Sequence, residues 1–232
     1  MIEIKDIIKS YNGIRVLNIP SLHIGKGESV GVVGNNGAGK TTMFSLILDL
    51  IQPDSGEILL NGIPVHGQDG WKKFTTAFID DSFLIGYLTP EEYFYFLGEL
   101  RGMNKSDVDA LLAEHAEFFN GEVLDKKVYV RDLSKGNQKK VGIVGALIGN
   151  PDLIILDEPF ANLDPTTQFR LKKLIAKIRE NKDVTLLISS HDLSHTVETT
   201  DRIIALNMGL VVKDGIKTEE TLAELNSFFA VE

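Results

Sequence analysis

Residues Gly34-Asn35-Asn36-Gly37-Ala38-Gly39-Lys40-Thr41 set two glycines, a lysine and a hydroxyl at the spacing that grips a phosphate chain. Gly34 and Gly39 let the backbone turn where a side chain would clash, so that the N–H groups from Asn35 through Gly37 and Ala38 converge on one anion. A helix beginning near Gly39 adds the positive end of its dipole. Lys40 places a point charge on the outer phosphates, and Thr41 offers a hydroxyl to Mg²⁺, a cation that takes oxygen ligands in octahedral array. An apolar run at 28–33 before the loop and another at 42–48 after it read as a buried strand and a helix. That context argues against a glycine-rich turn that binds nothing.

A second set of chemical groups follows the apolar run 153–156, which ends in Asp157 and Glu158. A buried strand delivers such carboxylates to the ligand end of a parallel sheet. There Asp157 would hold the metal, directly or through water, and Glu158 could accept a proton from the water attacking a γ-phosphate. Between the two sets lies Leu133-Ser134-Lys135-Gly136-Asn137-Gln138, followed by a helical stretch at 139–149. Ser134 is a sound helix cap and nothing more is required of it. The Ser134 hydroxyl, the Gly136 backbone and a helix N-terminus also suit a second phosphate site, and sequence physics leaves these two readings level.

The elements that must position these groups change character along the chain. Short strands at 2–4, 15–17, 22–24 and 57–60, with turns at 12–13, 25–27 and 61–62, predict an antiparallel sheet beside the phosphate loop. Pro53 stops the loop helix near Gln52. From 88 to 150 the pattern is helical, with Pro90 suited to a first turn and apolar residues at helical spacing over 105–119. Strands at 153–156 and 184–188 flank a helix at 166–180, the rhythm of a parallel sheet, and 203–215 reads as a closing hairpin. The expected fold is α/β: a P-loop NTPase core of RecA-like type with an N-terminal antiparallel β-subdomain and an inserted helical subdomain. As a single domain, 1–87 and 151–232 form the core and 88–150 the helical subdomain.

Composition narrows the function. The 232 residues carry 24 Lys and Arg against 33 Asp and Glu, a net charge of −9, and no basic run, which argues against nucleic acid as a partner. The chain has no cysteine, excluding disulfides and thiolate metal sites. No stretch approaches the roughly 20 apolar residues of a membrane span, and the first residues lack signal-peptide order. The expected location is cytoplasmic.

In order along the chain, Tyr11, the loop 34–41, the segment 133–138, the strand and acids 154–158, Ala161-Asn162-Leu163-Asp164 and Ser189-Ser190-His191-Asp192 resemble the nucleotide-binding subunit of an ATP-binding cassette (ABC) transporter. They match, respectively, the adenine-facing aromatic, Walker A, the signature, Walker B, the D-loop and the switch histidine. Pro53-Asp54-Ser55-Gly56-Glu57-Ile58 also fits the family. The resemblance implies ATP with Mg²⁺. Tyr11 would stack on adenine, Lys40 contact the β- and γ-phosphates, Thr41 ligate the metal, and Thr42 support the α-phosphate. Glu158 would be the general base and His191 would order the attack at the γ-phosphate. Ser134 and Gly136 would bind the γ-phosphate held by an opposite subunit, and Asp164 would meet that subunit's Walker A region. Catalysis would then require a dimer, with an identical or a different cassette.

Two segments depart from the family. Where its Q-loop offers glutamine the chain has Asp80, followed by Asp81, and Lys135 and Asn137 stand where the signature usually has other residues. Asp80 keeps an oxygen but is shorter and charged, so it would reach the metal after loop movement or through water. Gly136, whose backbone approaches phosphate, is retained.

A cassette without a span of its own implies separate transmembrane permease subunits, which would hold it at the cytoplasmic face of the membrane. The apolar run at 87–97 is the expected docking surface. Export is the preferred direction, from the acidic Q-loop and the short end after Phe229. Rival readings are a soluble ABC-type ATPase acting on nucleic acid or ribosomes, and a P-loop phosphotransferase, which would not need Ser134 and Gly136. Asp80→Ala is expected to weaken the Mg²⁺ dependence of ATP hydrolysis and its coupling to transport. An unchanged Mg²⁺ profile together with an unchanged coupled rate would refute a metal-tuning role for Asp80.

Overall fold

The computed structural model describes residues 1–230; positions 231 and 232, where the expected short end falls, lie outside the described residues. Its frame is two sheets. β1 (Ile2–Tyr11), β2 (Ile14–Ile24), β4 (Ser55–Leu60) and β5 (Ile63–Pro64) form an antiparallel sheet in the order β2-β1-β4-β5. The second sheet runs β10-β9-β3-β8-β7-β6, from β3 (Ser29–Val33), β6 (Thr75–Phe78), β7 (Leu153–Leu156), β8 (Thr185–Ser190), β9 (Arg202–Asn207) and β10 (Leu210–Ile216). All its pairs are parallel except β9 with β10.

The central strands explain the layering. β3, β7 and β8 are buried along their whole length, as parallel strands covered on both faces must be. Side chains alternate across a strand, so β7 feeds two cores. Leu153 and Ile155 pack with Ile4, Leu17, Met43 and Phe44, between the two sheets and around α1 (Lys40–Ile47). Ile154 and Leu156 pack on the other face with Phe94, Phe119 and Ile175. That second core is closed by α2 (Pro90–Leu100), α3 (Lys105–Glu114), α4 (Ala116–Phe119), α5 (Lys135–Gly145) and α6 (Pro165–Glu180). α7 (Leu193–Thr199) and α8 (Thr221–Ala230) cover the β9 side through Val197 and Leu225.

Several boundaries differ from the sequence reading. The loop helix α1 ends at Ile47 rather than near Gln52, because Asp49 takes a left-handed conformation with φ 52° well before Pro53. The strands expected at 15–17 and 22–24 are one strand, β2, which accommodates Pro20 because it lies at the sheet edge. The helix expected over 105–119 is broken at His115 into α3 and α4. α5 begins at Lys135, four positions before 139, because Ser134 accepts the Asn137 N–H as its cap; it ends at Gly145, and Gly149 and Asn150 then turn the chain with positive φ.

The topology brings the C-terminal ends of β3, β7 and β8 side by side, since β8 pairs with both of the others. The helical layer meets the sheet closely at Gly142 of α5, where a Cβ would lie 2.1 Å from the ring of buried Phe78, the last residue of β6. Neither the helix backbone nor the packed ring can yield freely. Gly142→Ala is therefore expected to destabilise the fold by about 1–3 kcal/mol, the usual cost of overpacking. Chemical denaturation with an unchanged midpoint would contradict this contact.

Candidate functional site

The loop 34–39 joins β3 to α1, and its glycines are where its backbone needs them. A Cβ on Gly34 would come 2.3 Å from the Leu206 carbonyl oxygen, and Gly39, with φ 105°, begins α1 in a left-handed conformation. Asn35, Asn36 and Gly37 form an exposed crest, while Ala38, Gly39 and Lys40 are buried. The Ala38 carbonyl accepts the Gly209 N–H, so the β9–β10 turn braces the loop. The Lys40 ammonium donates to the carbonyls of Gly34 at 2.6 Å and Asn35 at 3.3 Å, and pairs with Glu158 Oε1 at 3.4 Å. Thr41 is exposed and Thr42 half-buried on the first turn of α1.

Asp157 and Glu158 follow β7 directly. Asp157 is only 5 % exposed, and each of its oxygens accepts a hydroxyl hydrogen bond, Oδ2 from Thr41 at 2.6 Å and Oδ1 from Ser189. Burial pushes this carboxyl above its ordinary range, and the two hydroxyls oppose that shift. Ser189, at the end of β8, also accepts the Glu158 N–H at 2.8 Å. Glu158 has φ 45°, a conformation uncommon outside glycine. Its carboxylate lies between the Lys40 ammonium and His191, whose Nδ1 is 2.8 Å from Oε2. Lys40, Thr41, Asp157, Glu158 and His191 thus form one continuous cluster.

Ser189 has no role in the sequence-based site. A hydroxyl directly after the apolar stretch 186–188 is the available signal, but its partners are residues 31 and 32 positions away. The Thr41 hydroxyl and the Asp157 carboxylate together suit Mg²⁺, which binds through one or two protein oxygens plus substrate phosphates and water. Among the described residues no group of three His, Asp or Glu side chains is set to hold a metal, and a cation shared with phosphate needs none.

The remaining expected residues lie apart from this cluster. Tyr11 ends β1 half exposed, with the Lys9 ammonium 5.3 Å from its ring centre. Ser134 is exposed at the start of α5, and a Cβ on Gly136 would meet nothing nearer than Leu163 at 3.8 Å, so this helix end is open to an incoming group. Asp164 caps α6 through the N–H groups of Thr166 and Thr167 and the Thr167 hydroxyl, which hold its carboxyl below the usual range. Asp80 accepts the Ser82 N–H at 2.8 Å and caps a 3-10 turn; those Ser82 bonds lower its pKa, with help from Lys135. No hydrogen bond or ion pair among the described residues joins Asp80 to Thr41 or Asp157. The two departures from the family meet each other instead, since Lys135 Nζ lies 3.5 Å from Asp81 Oδ2.

A mostly parallel sheet with a phosphate loop after β3 and an acid pair after β7 defines a P-loop nucleoside-triphosphatase. A family model described as "ABC transporter" matches residues 17–161. The sulfate/thiosulfate import ATP-binding protein CysA of Pectobacterium atrosepticum is 31% identical over 94% of this chain and 67% of its own length. An uncharacterised ABC transporter ATP-binding protein of Bacillus subtilis, YhaQ, is 33% identical over 93% of this chain and 71% of its own length. Among solved structures, the dimeric post-hydrolysis state of the ATP-binding cassette MJ0796 bound to ADP and Pi superposes with a TM-score of 0.82 at 27% identity, covering 93% of this chain and 98% of that one. The chain belongs to the ABC transporter family, as an ATP-binding, ATP-hydrolysing component.

Removing the Ser189 hydroxyl leaves a buried carboxylate oxygen and the Glu158 N–H without partners. Ser189→Ala is expected to cost about 1–3 kcal/mol of stability and to lower the ATPase rate, whereas Ser189→Thr retains both. Equal melting and turnover for Ser189→Ala and wild type would show that the hydroxyl holds neither acid.

Proposed function

We propose that the chain is the ATPase subunit of a transporter whose membrane path is formed by separate permease subunits, and that it works as a head-to-tail dimer with two shared sites. The observation that carries this reading is the convergence of Lys40, Thr41, Asp157, Glu158 and His191 at the ends of β3, β7 and β8, while Ser134 and Gly136 face outward on α5. A site complete for binding and lacking a lid for the γ-phosphate calls for a second cassette. The neighbour MJ0796 is described as dimeric, in keeping with that reading.

In the proposed complex the loop N–H groups and Lys40 bind the phosphates of ATP, Thr42 supports the α-phosphate, and Tyr11 stacks on the adenine. Thr41 and Asp157 would hold Mg²⁺, which when bound neutralises charge on the β- and γ-phosphates. Glu158 accepts the proton of the attacking water; His191, hydrogen-bonded to Glu158 Oε2, orients that carboxylate and contacts the γ-phosphate. Asp80 approaches the metal through water or after its loop moves. Asp164 approaches the Walker A region of the opposite cassette. The cassette domain is single, with 1–87 and 151–232 as its core and 88–150 as the helical subdomain.

The permease contact we assign to a groove of about 340 Å³ between the sheet and the helical layer, lined by Leu48, Phe83, Leu84, Tyr93, Leu97 and Arg101. Of the expected docking run 87–97, Tyr93 and Leu97 line this groove, whereas Phe94 is fully buried in the core and cannot dock. Phe83, which lines the groove, is 60% exposed, and Tyr87 at the start of the docking run is 68% exposed. No helix among the described residues is long and apolar enough to cross a membrane, which is why the path is assigned to other subunits at the cytoplasmic face. Direction belongs to those subunits: Asp80 is the feature here that favours export, while CysA is named as an import ATP-binding protein. The net charge of −9 weighs against the nucleic-acid alternative.

Glu158→Gln is expected to cut ATP turnover by about 100-fold or more, the scale of general-base catalysis, with nucleotide binding retained. Saturating ATP should then trap the variant as a dimer in size-exclusion chromatography with light scattering. A Glu158→Gln chain that binds ATP yet stays monomeric at every protein concentration tested contradicts the composite site.

A further inference from the structure

Lys139 lies on α5, the helix that begins at the signature, and no role above uses it. Its ammonium leaves the helical layer and donates to the carbonyl oxygens of Glu158 at 2.9 Å and Ala161 at 2.8 Å. It therefore spans from the signature helix to the turn that carries the general base. Burial lowers its pKa, and the carboxylates of Asp81, Glu158, Asp80 and Asp157 oppose that shift. A cation drawn into such a place must be held by acceptors, and here two backbone carbonyls do so.

The value of these bonds lies in what they restrain. With φ 45°, Glu158 occupies a backbone region that persists only where the surroundings over-determine it, at a cost of order 1–3 kcal/mol. Its N–H is held by Ser189 and its carboxylate by Lys40 and His191, all from the end of the sheet. Its carbonyl accepts the Ala161 N–H at 3.2 Å and the Lys139 ammonium. Among these, Lys139 is the restraint that arrives from the helical layer. From Ser134 to Lys139 the helix advances by about 7.5 Å, so the two ends of this link move as one rigid piece.

We propose that Lys139 is a positioning residue that ties the Ser134–Gly136 end of α5 to the backbone of Glu158 in the same chain, so that nucleotide gripped at that helix end aligns the base of the other site. This rests on the composite-site reading above. The signature end of α5 serves the ATP of the opposite cassette, whereas Glu158 serves the ATP on its own loop. Lys139 thus makes the two sites of a dimer cooperative, a coupling between sites carried by one helix and two hydrogen bonds.

The test compares the full chain as wild type, Lys139→Met and Lys139→Arg. Methionine keeps the apolar stem and removes the donors; arginine keeps donors of similar reach. Phosphate release is followed against ATP concentration, fluorescent-nucleotide binding gives affinity, and thermal melting reports folding. For Lys139→Met the expected result is a turnover lower by about 10- to 100-fold, the scale of a misplaced catalytic group, with nucleotide affinity unchanged within experimental scatter. Its Hill coefficient should fall to 1 from a wild-type value above 1, and Lys139→Arg should recover both turnover and cooperativity. Should Lys139→Met fail to fold, Lys139→Gln, a shorter neutral donor, is expected to fold with reduced turnover and cooperativity. Wild-type turnover and cooperativity in whichever of these two neutral variants folds overturn the proposal, as does a loss confined to nucleotide affinity. A wild-type chain that hydrolyses ATP without cooperativity overturns the site-to-site coupling. Failure of the wild type to hydrolyse ATP at all overturns instead the composite-site reading beneath it.

Discussion

A carboxylate removed from water must find partners for its lone pairs, and Asp157 finds them in two hydroxyls far away in sequence. Thr41 comes from the first turn of α1, Ser189 from the end of β8, and Asp157 from the end of β7. The hydrogen bonds can form only if β3, β8 and β7 are neighbours in that order with their ends level. The parallel register provides this, pairing Val33 with Ser190 and Leu156 with Ile188. Once Asp157 is fixed, the next residue is fixed too, because Ser189 also takes the Glu158 N–H. One buried acid thereby sets the geometry of the loop that leads into α1, of Glu158 and of the histidine that faces it.

Within that frame the chain divides the labour of its site between rigid and exposed parts. Lys40 is 6 % exposed and bonded three ways, whereas Ser134, at the head of α5, is open to solvent. The groups proposed to bind nucleotide are preorganised against the sheet, and those proposed to complete the site are displayed on the helical layer. The Lys135–Asp81 pair, at 3.5 Å with Lys135 largely exposed and Asp81 partly buried, is one fastening of that display.

Much of this could be read from the sequence because it is local. Gly34 to Thr41 and Leu153 to Glu158 are contiguous runs whose chemistry and flanking patterns agree, and the structure sets both runs where a parallel sheet presents its ligand end. Helix ends were read less well. Asp49 takes a left-handed conformation that no nearby proline or glycine announces, and α5 starts at its serine cap although Lys135, Gly136 and Asn137 make a poor helical pattern. Contacts between distant residues were not legible. Ser189 meets Asp157 across 32 positions, Lys139 meets Glu158 across 19, and the meeting of Lys135 with Asp81 needs the fold before it has meaning. The apolar run 87–97 misled in part because a single helix face cannot hold so many large side chains, yet sequence does not say which of them turn inward; Phe94 does and Phe96 does not.

The alternation along β7 has a consequence for how the molecule comes apart. Leu153 and Ile155 floor one core while Ile154 and Leu156 floor the other, so neither can be exposed to water without stripping the wall from its neighbour. A chain built this way has no cheap partial opening at its centre: protection against amide exchange in β3, β7 and β8 should track global unfolding, while the rims fray first. The chemistry sits at the end of the last strands to melt.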